Sequence, residues 1–140
     1  MDRPEHPEQA LLTHVVGAMK PLGLQLEVLR PRMRSGAHLV DARIDVRFGA
    51  HRLRYFAQVK RCLRPETLGA VVHQLRALGG TPLLVTVHVT PLLADALRAR
   101  GVESIDTAGN VFLNRPRGSL LRSAHKIMHV SPLLGGWLSA

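Results

Sequence analysis

The stretch from residue 39 to residue 61 limits most strongly what this chain can fold into. It reads LVDARIDVRFGAHRLRYFAQVKR, and apolar and polar residues alternate along both halves. Because successive side chains of a strand point to opposite faces, the alternation predicts two strands, each with an apolar face and a charged face. The residues between the halves, Phe48-Gly49-Ala50-His51, are typical of a tight hairpin turn.

A two-residue turn fixes the register of this hairpin. It places Asp45 across from Arg54 and Asp41 across from Gln58. A slip by one residue would set the charged face of one strand beside the apolar face of the other, which disfavours that register. We therefore expect Asp41, Gln58 and Lys60 on one patch of the charged face.

An acidic residue on one strand, followed by Gln-Val-Lys on the next, resembles the motif of the PD-(D/E)XK (restriction-endonuclease-like) superfamily. The resemblance implies a catalytic site of Asp41, Gln58 and Lys60, in which Asp41 and Gln58 hold Mg²⁺ and Lys60 assists the attacking water. This chain has Gln58 where the superfamily usually has Glu. Because an amide oxygen is a weaker Mg²⁺ ligand than a carboxylate, Mg²⁺ is expected as a cofactor only if the chain is catalytic.

The rest of the chain predicts a succession of helices and strands. Helices are predicted over residues 7–19, 64–78 and 91–100, strands over 24–29, 82–89, 102–105 and 111–113, and a basic loop over 31–36. This order predicts an α/β fold with a restriction-endonuclease-like αβββαβ core. We expect a mixed central sheet flanked by helices, plus a further helix and a short strand pair. Residues 1–114 then form a nuclease-like domain, and 115–140 form a basic, irregular C-terminal tail.

Positive charge is concentrated around the hairpin. The chain has 19 Lys and Arg against 10 Asp and Glu, a formal charge of +9. Between residues 30 and 64 the acidic residues are Asp41 and Asp45 alone. Such a patch predicts attraction to phosphate backbones, although a solvated surface would have the same composition. The candidate nucleic-acid contacts are Arg32, Arg34, Arg43, Arg47, Arg54, Arg61 and Arg64.

Composition excludes several classes of protein. No apolar run is long enough to span a bilayer, and the first residues, MDRPEHPEQ, lack the hydrophobic region of a signal peptide. Cys62 is the only cysteine, which excludes an internal disulfide and is typical of a reducing compartment. We therefore expect a cytoplasmic location and no membrane partner.

A second, narrower resemblance lies further along the chain. The segment TPLLVTVHVTPLLADALRARGVESIDTAGNVFLN resembles part of the bacterial abortive-infection (type IV toxin–antitoxin, AbiEi-like) antitoxin and transcriptional-regulator proteins. The matching residues are Thr90, Pro91, Leu97, Arg98, Gly101, Asp106, Ala108, Gly109, Asn110, Phe112 and Leu113. With the hairpin, the resemblance covers about residues 40–114. It implies a nuclease-like fold used for binding or regulation, here without the winged-helix domain that usually follows.

These observations favour one function and leave two alternatives open. The favoured hypothesis is a nucleic-acid-binding or regulatory module on a nuclease-like scaffold, catalytically weak or inactive, with DNA as its partner. The first alternative is an active Mg²⁺-dependent DNA endonuclease that uses Asp41, Gln58 and Lys60. The second is a protein-interaction domain that neutralises a toxin or forms a homodimer.

Overall fold

The computed structural model describes residues 7–35, 38–48, 51–78, 80–116, 125–131 and 136–139. Within these residues the helices are α1 (Pro7–Met19), α2 (Leu68–Arg76) and α3 (Pro91–Ala99), with 3-10 turns at Lys20–Leu22 and Pro65–Thr67. The strands are β1 (Gln25–Ser35), β2 (His38–Phe48), β3 (His51–Lys60), β4 (Pro82–Thr86), β5 (Ser104–Asp106), β6 (Val111–Pro116), β7 (His125–Ser131) and β8 (Gly136–Ser139). None of the described helices is long and apolar enough to cross a membrane.

The described strands form one mixed sheet in the order β1 to β8. Strands β1, β2 and β3 are antiparallel, β3, β4 and β5 are parallel, and the remaining neighbours are antiparallel. Parallel neighbours need a crossover connection, and α2 and α3 provide the two that this sheet requires. The predicted α/β class and mixed sheet are therefore confirmed.

Helix α1 covers one face of the sheet, which we call the core face. The apolar stripe predicted for this helix packs against the apolar residues of β2 and β3. Its buried members are Leu11, Leu12, Val15 and Met19, and their partners on the hairpin include Ile44, Val46, Tyr55 and Ala57. Burying one large aliphatic side chain contributes roughly 1.5–3 kcal/mol, so this packing determines which face of the hairpin is buried.

Helices α2 and α3 lie on the opposite side of the sheet. Their buried residues form a second apolar cluster with Leu84 of β4. Helix α3 begins as predicted, since Pro91 is its first residue and the Thr90 hydroxyl accepts a hydrogen bond from the Leu93 N–H at 3.3 Å. We call this second side of the sheet the charged face, because it presents the polar residues of the hairpin.

Strand β1 is longer than predicted. Residues 31–35, expected to be part of a basic loop, belong to this strand. It lies at the edge of the sheet, where Pro31 is tolerated because one side of an edge strand makes no ladder hydrogen bonds. By contrast, the strand predicted over 82–89 ends at Thr86, and the helix predicted over 64–78 starts as a 3-10 turn and ends at Arg76.

The end of the chain differs most from expectation. Residues 115–140 were expected to be irregular, yet β7 and β8 lie there and extend the sheet beyond β6. These strands form by pairing with a neighbouring strand of the sheet. The periodicity of a short segment does not show whether such a neighbour is present. The division at residue 114 remains a prediction. Residues 117–124 and 132–135, like the expected turn residues 49–50, lie outside the described part of the chain.

The predicted turn at residues 106–110 is built around a buried carboxylate. Asp106 is fully buried and accepts hydrogen bonds from the backbone N–H groups of Val89, Ala108 and Asn110 at 2.8, 3.0 and 2.8 Å. The Asn110 side-chain amide donates a fourth at 2.9 Å. Gly109 has a φ of 90°, the left-handed conformation predicted for this turn. Asp106 thus ties the turn to the loop between β4 and α3.

Replacing Asp106 by Ala should strongly destabilise the fold. The change leaves three backbone N–H groups without their acceptor, and we expect a loss of about 3 kcal/mol in the free energy of unfolding. The matched control is Asp95→Ala, because Asp95 is exposed and pairs with Arg98 one helical turn away. Urea unfolding of both variants checks this prediction. Equal stability of the two variants would contradict the role given to Asp106.

Candidate nucleic-acid interface

The hairpin of β2 and β3 has the predicted register. Asp45 lies opposite Arg54, and the pairing runs from Phe48 and His51 at the turn to Ala42 and Ala57. Directly paired residues of antiparallel strands share a face, so Asp45 and Arg54 lie together on the charged face. The register predicted from the alternating pattern is confirmed over this range.

A buried carboxylate organises the centre of the charged face. Asp45 has a fully buried side chain, and its two oxygens accept hydrogen bonds from Arg54 Nε at 2.8 Å and Arg52 Nε at 2.7 Å. The side chains of Arg52 and Arg54 are 51% and 48% exposed. Hydrogen bonding from Arg54 lowers the pKa of the Asp45 carboxyl below its ordinary value, against the opposing effect of burial. The alternating pattern of the hairpin predicts the Arg54 partner but not the Arg52 partner.

Two pairs of like charges flank this carboxylate. Arg43 lies directly opposite Arg30 of β1, and Arg47 lies directly opposite Arg52 of β3. Like charges in such positions destabilise a sheet by roughly 0.2–1 kcal/mol per pair. We call the five arginines of this region the arginine face: Arg30, Arg43, Arg47, Arg52 and Arg54.

Arg30 joins this face because β1 is irregular. The register of β1 against β2 shifts between Val28 and Arg30. Glu27 lies opposite Asp45 on the charged face. Without the shift, strict alternation of side chains from Glu27 onward would place Arg30 on the core face. A bulge leaves little trace in the sequence, which is why Arg30 was not among the predicted contacts.

The other predicted contacts lie outside the arginine face. Arg32 and Arg34 are exposed residues of β1, and Arg61 and Arg64 are exposed residues that follow β3. Arg32 has a φ of 40°, in the left-handed region that non-glycine residues seldom adopt. Its neighbours Pro31 and Met33 pair with Ala42 and Val40, so Arg32 lies level with Asp41. The backbone of β1 is therefore irregular beside the candidate catalytic aspartate.

Asp41 contacts the third strand between the other two candidate residues. Its Oδ2 atom accepts a hydrogen bond from the Val59 backbone N–H at 2.7 Å, and Val59 lies between Gln58 and Lys60. Gln58 and Lys60 alternate with the buried residues of β3 and so share the charged face. The structure thus gives Asp41 a backbone partner on the very segment that carries the Gln-Val-Lys motif.

The donor groups at this point fit Mg²⁺ poorly. Mg²⁺ in proteins is usually bound by one or two carboxylates and by substrate phosphates. Asp41 offers one carboxylate, of which one oxygen already accepts the Val59 N–H. Within the described residues, no three His, Cys, Asp or Glu side chains are placed to hold one ion. Gln58 Oε1 is a neutral oxygen that is buried and has no hydrogen-bond partner among the residues that the structure describes.

A row of polar residues crosses the carboxyl ends of the parallel strands. Lys60 lies level with Thr86, and Thr86 lies level with Asp106. Thr86 is fully buried, and its hydroxyl has no partner in the described part of the molecule. Ligands of open α/β sheets commonly bind at this edge, but the Asp106 carboxylate is already used by its turn. The row therefore borders the interface without completing a separate site.

Comparison with known proteins adds no relative. A scan against protein-family models, a search of curated proteins and a search of solved structures each found no match. The site must therefore be interpreted from its own geometry.

The Asp45 cluster predicts a specific loss of stability in acid. A lowered pKa in the folded state means that the stabilisation is fully present above the unfolded pKa, about 3.9, and is lost as the pH falls through the lower folded value. We expect Asp45→Asn to lower the free energy of unfolding at neutral pH by about 1–2 kcal/mol and to flatten its decline below about pH 4.

Urea unfolding at a series of pH values measures both effects. Asp95→Asn, at a mostly exposed carboxylate with 71% of its side chain accessible, is the control and should keep the wild-type slope. An Asp45→Asn variant with the same acid slope as the control would contradict the assignment.

Proposed function

We propose that this chain is a nucleic-acid-binding or regulatory module on a PD-(D/E)XK nuclease-like scaffold, with DNA as its partner and little or no catalytic activity. The observation that carries the proposal is the arginine face, where two pairs of directly opposed arginines are maintained by the fold. A phosphate between opposed guanidinium groups would remove their repulsion, so binding a polyanion turns an unfavourable arrangement into a favourable one.

The charge balance of this face supports the same proposal. Among the residues that pair across the strands of this face, the acidic ones are Glu27 and Asp45, which lie opposite each other. Asp45 is occupied by Arg52 and Arg54, and both guanidinium groups keep about half of their surface in solvent. Arg43 Nε is buried and has no partner in the described residues. The exposed guanidinium groups of the face therefore retain positive charge for an anionic ligand.

The dimensions of the arginine face suit a nucleic-acid strand. Arg43 and Arg47 lie on the same face of β2, about 13 Å apart for a strand that rises about 3.3 Å per residue. One DNA strand advances about 3.4 Å along the helix axis per nucleotide, so a duplex whose axis runs parallel to β2 would present roughly four nucleotides over this distance. The contacts of a backbone-directed binder would spread over such a length.

Salt dependence tests the proposal. Affinity for a short DNA duplex should fall linearly on a plot of log affinity against log salt concentration. The double variant Arg43→Gln/Arg47→Gln should reduce the slope by about 1.8, since each neutralised phosphate contributes about 0.9. Lys20→Gln removes one charge from an exposed residue that follows α1, on the core side of the sheet, and should leave the slope unchanged. Absence of binding at low salt, or equal slopes in all proteins, would refute the proposal.

The endonuclease alternative predicts a different result. Because the donor groups fit Mg²⁺ poorly, we expect wild-type protein to leave supercoiled plasmid intact with Mg²⁺ or Mn²⁺. Gln58→Glu supplies a second carboxylate, and we expect calorimetry to detect tighter Mn²⁺ binding by this variant than by wild type. Wild-type nicking that is abolished by Lys60→Ala or by Asp41→Ala would establish the enzyme and overturn the non-catalytic proposal.

A further inference from the structure

A cleft beside the candidate catalytic residues is lined by both apolar and hydrogen-bonding side chains. It lies between β2, β3 and α2 and has a volume of about 270 Å³. Its lining residues are Leu39, Gln58, His73, Gln74, Ala77 and Leu78. The apolar members provide walls, and the two amides and the imidazole provide hydrogen-bonding groups.

The Gln58 amide indicates which hydrogen-bonding groups a ligand of the cleft would carry. Its Oε1 atom is buried and has no hydrogen-bond partner in the described residues. A buried acceptor without a partner costs about 1–3 kcal/mol, which a ligand with an N–H donor would offset. The same amide also carries donors, so it can form two parallel hydrogen bonds with a group that presents a donor beside an acceptor.

The walls of the cleft favour a small, partly apolar ligand. Leu78 is almost fully buried, whereas Leu39 is 54% exposed and stands at the mouth. The volume is below the range of about 300–1,000 Å³ that is typical for drug-sized ligands, so the cleft suits a single small ring system. A nucleobase combines apolar faces with an edge of adjacent donors and acceptors.

Neighbouring contacts hold the cleft in place. Phe56 precedes Gln58 by two residues on the same face of β3, and its backbone N–H donates to the Thr81 carbonyl at 2.7 Å. The Phe56 ring packs against Gly80 so closely that a Cβ atom at Gly80 would clash. The segment that follows α2 is thereby fixed to β3 beside the cleft.

The cleft adjoins the arginine face. Phe56 lies directly opposite Arg43, so Gln58 is one step further along the same face of the sheet. A strand that continues along the hairpin from Arg47 past Arg43 would therefore reach the cleft. A base that is paired and stacked in a duplex cannot enter a concave site, so the occupant must be unpaired.

We propose that this cleft binds one unpaired nucleobase of a DNA strand held on the arginine face, and that Gln58 Oε1 accepts a hydrogen bond from the edge of that base. The proposal rests on the nucleic-acid-binding function proposed above. Gln58 then reads a base at the position where a nuclease would carry a metal-binding carboxylate. Adenine is the natural first probe, because a glutamine amide pairs with its amino group and adjacent ring nitrogen.

Binding to bulged duplexes tests this inference. Two short DNA duplexes are compared by fluorescence anisotropy, one with a single unpaired adenine and the other with an abasic residue at the same position. Their phosphates are identical, so the arginine face contributes equally to both. We expect wild-type protein to prefer the adenine bulge about tenfold, the discrimination of one good bidentate pair.

Variants identify the residue responsible. Gln58→Met removes the amide while keeping the length of the side chain, and it should abolish the preference. It also removes an unsatisfied acceptor, so the folded protein should not lose stability. Gln9→Met is the matched control, because Gln9 is also half-buried but lies on α1. A second variant, Gln74→Ala at an exposed position, should weaken the preference without affecting the core.

Each outcome has a distinct meaning. Equal, salt-dependent binding of both duplexes by wild type overturns the base site and leaves the proposed function standing. A preference that survives in Gln58→Met overturns the role of Gln58. Failure to bind either duplex at low salt overturns the proposed function together with the base site.

Discussion

Burial of one face of the β2–β3 hairpin against α1 is the constraint on which the rest of the structure depends. Because strand side chains alternate, burying Ile44, Val46 and Tyr55 forces the intervening residues to the opposite side. The ion pairs of Asp45 with Arg52 and Arg54 then stabilise the same register from the charged side. Moving either strand by one residue would lose both sets of contacts together. The arginine face is thus a consequence of how the core is packed.

The same constraint explains why a nuclease-like motif need not mark a nuclease. Asp41, Gln58 and Lys60 lie just past the paired part of β2 and β3, which ends at Ala42 and Ala57. There the Asp41 carboxylate contacts the Val59 backbone, and Gln58 lines the cleft against α2. A carboxylate that satisfies a backbone N–H supports the sheet, and a neutral amide is better suited to hydrogen bonding than to holding Mg²⁺. The proposed function therefore assigns this segment to positioning and recognition.

The sequence predicted those parts of the molecule that depend on side chains close together along the chain. The α1 stripe, the hairpin register with its Asp45–Arg54 pair and the Thr90 cap of α3 all depend on local spacing, and all are found. Features that arise from pairing between distant segments were missed. The bulge that turns Arg30 to the charged face and the strands β7 and β8 are of this kind. The cleft was missed for the same reason, because α2 reaches Gln58 only in the folded chain.

The most direct test of the account is a nuclear magnetic resonance titration of the protein with a short DNA duplex at low salt. A nucleic-acid interface on the charged face predicts that the backbone and Arg Nε–H signals of Arg43, Arg47 and Arg54 shift in proportion to the DNA bound. Signals of Leu11 and Val15 on α1, across the sheet, should remain in place. Shifts concentrated on α1, or no shifts at saturating DNA, would contradict the claim that the charged face of the hairpin is a nucleic-acid interface.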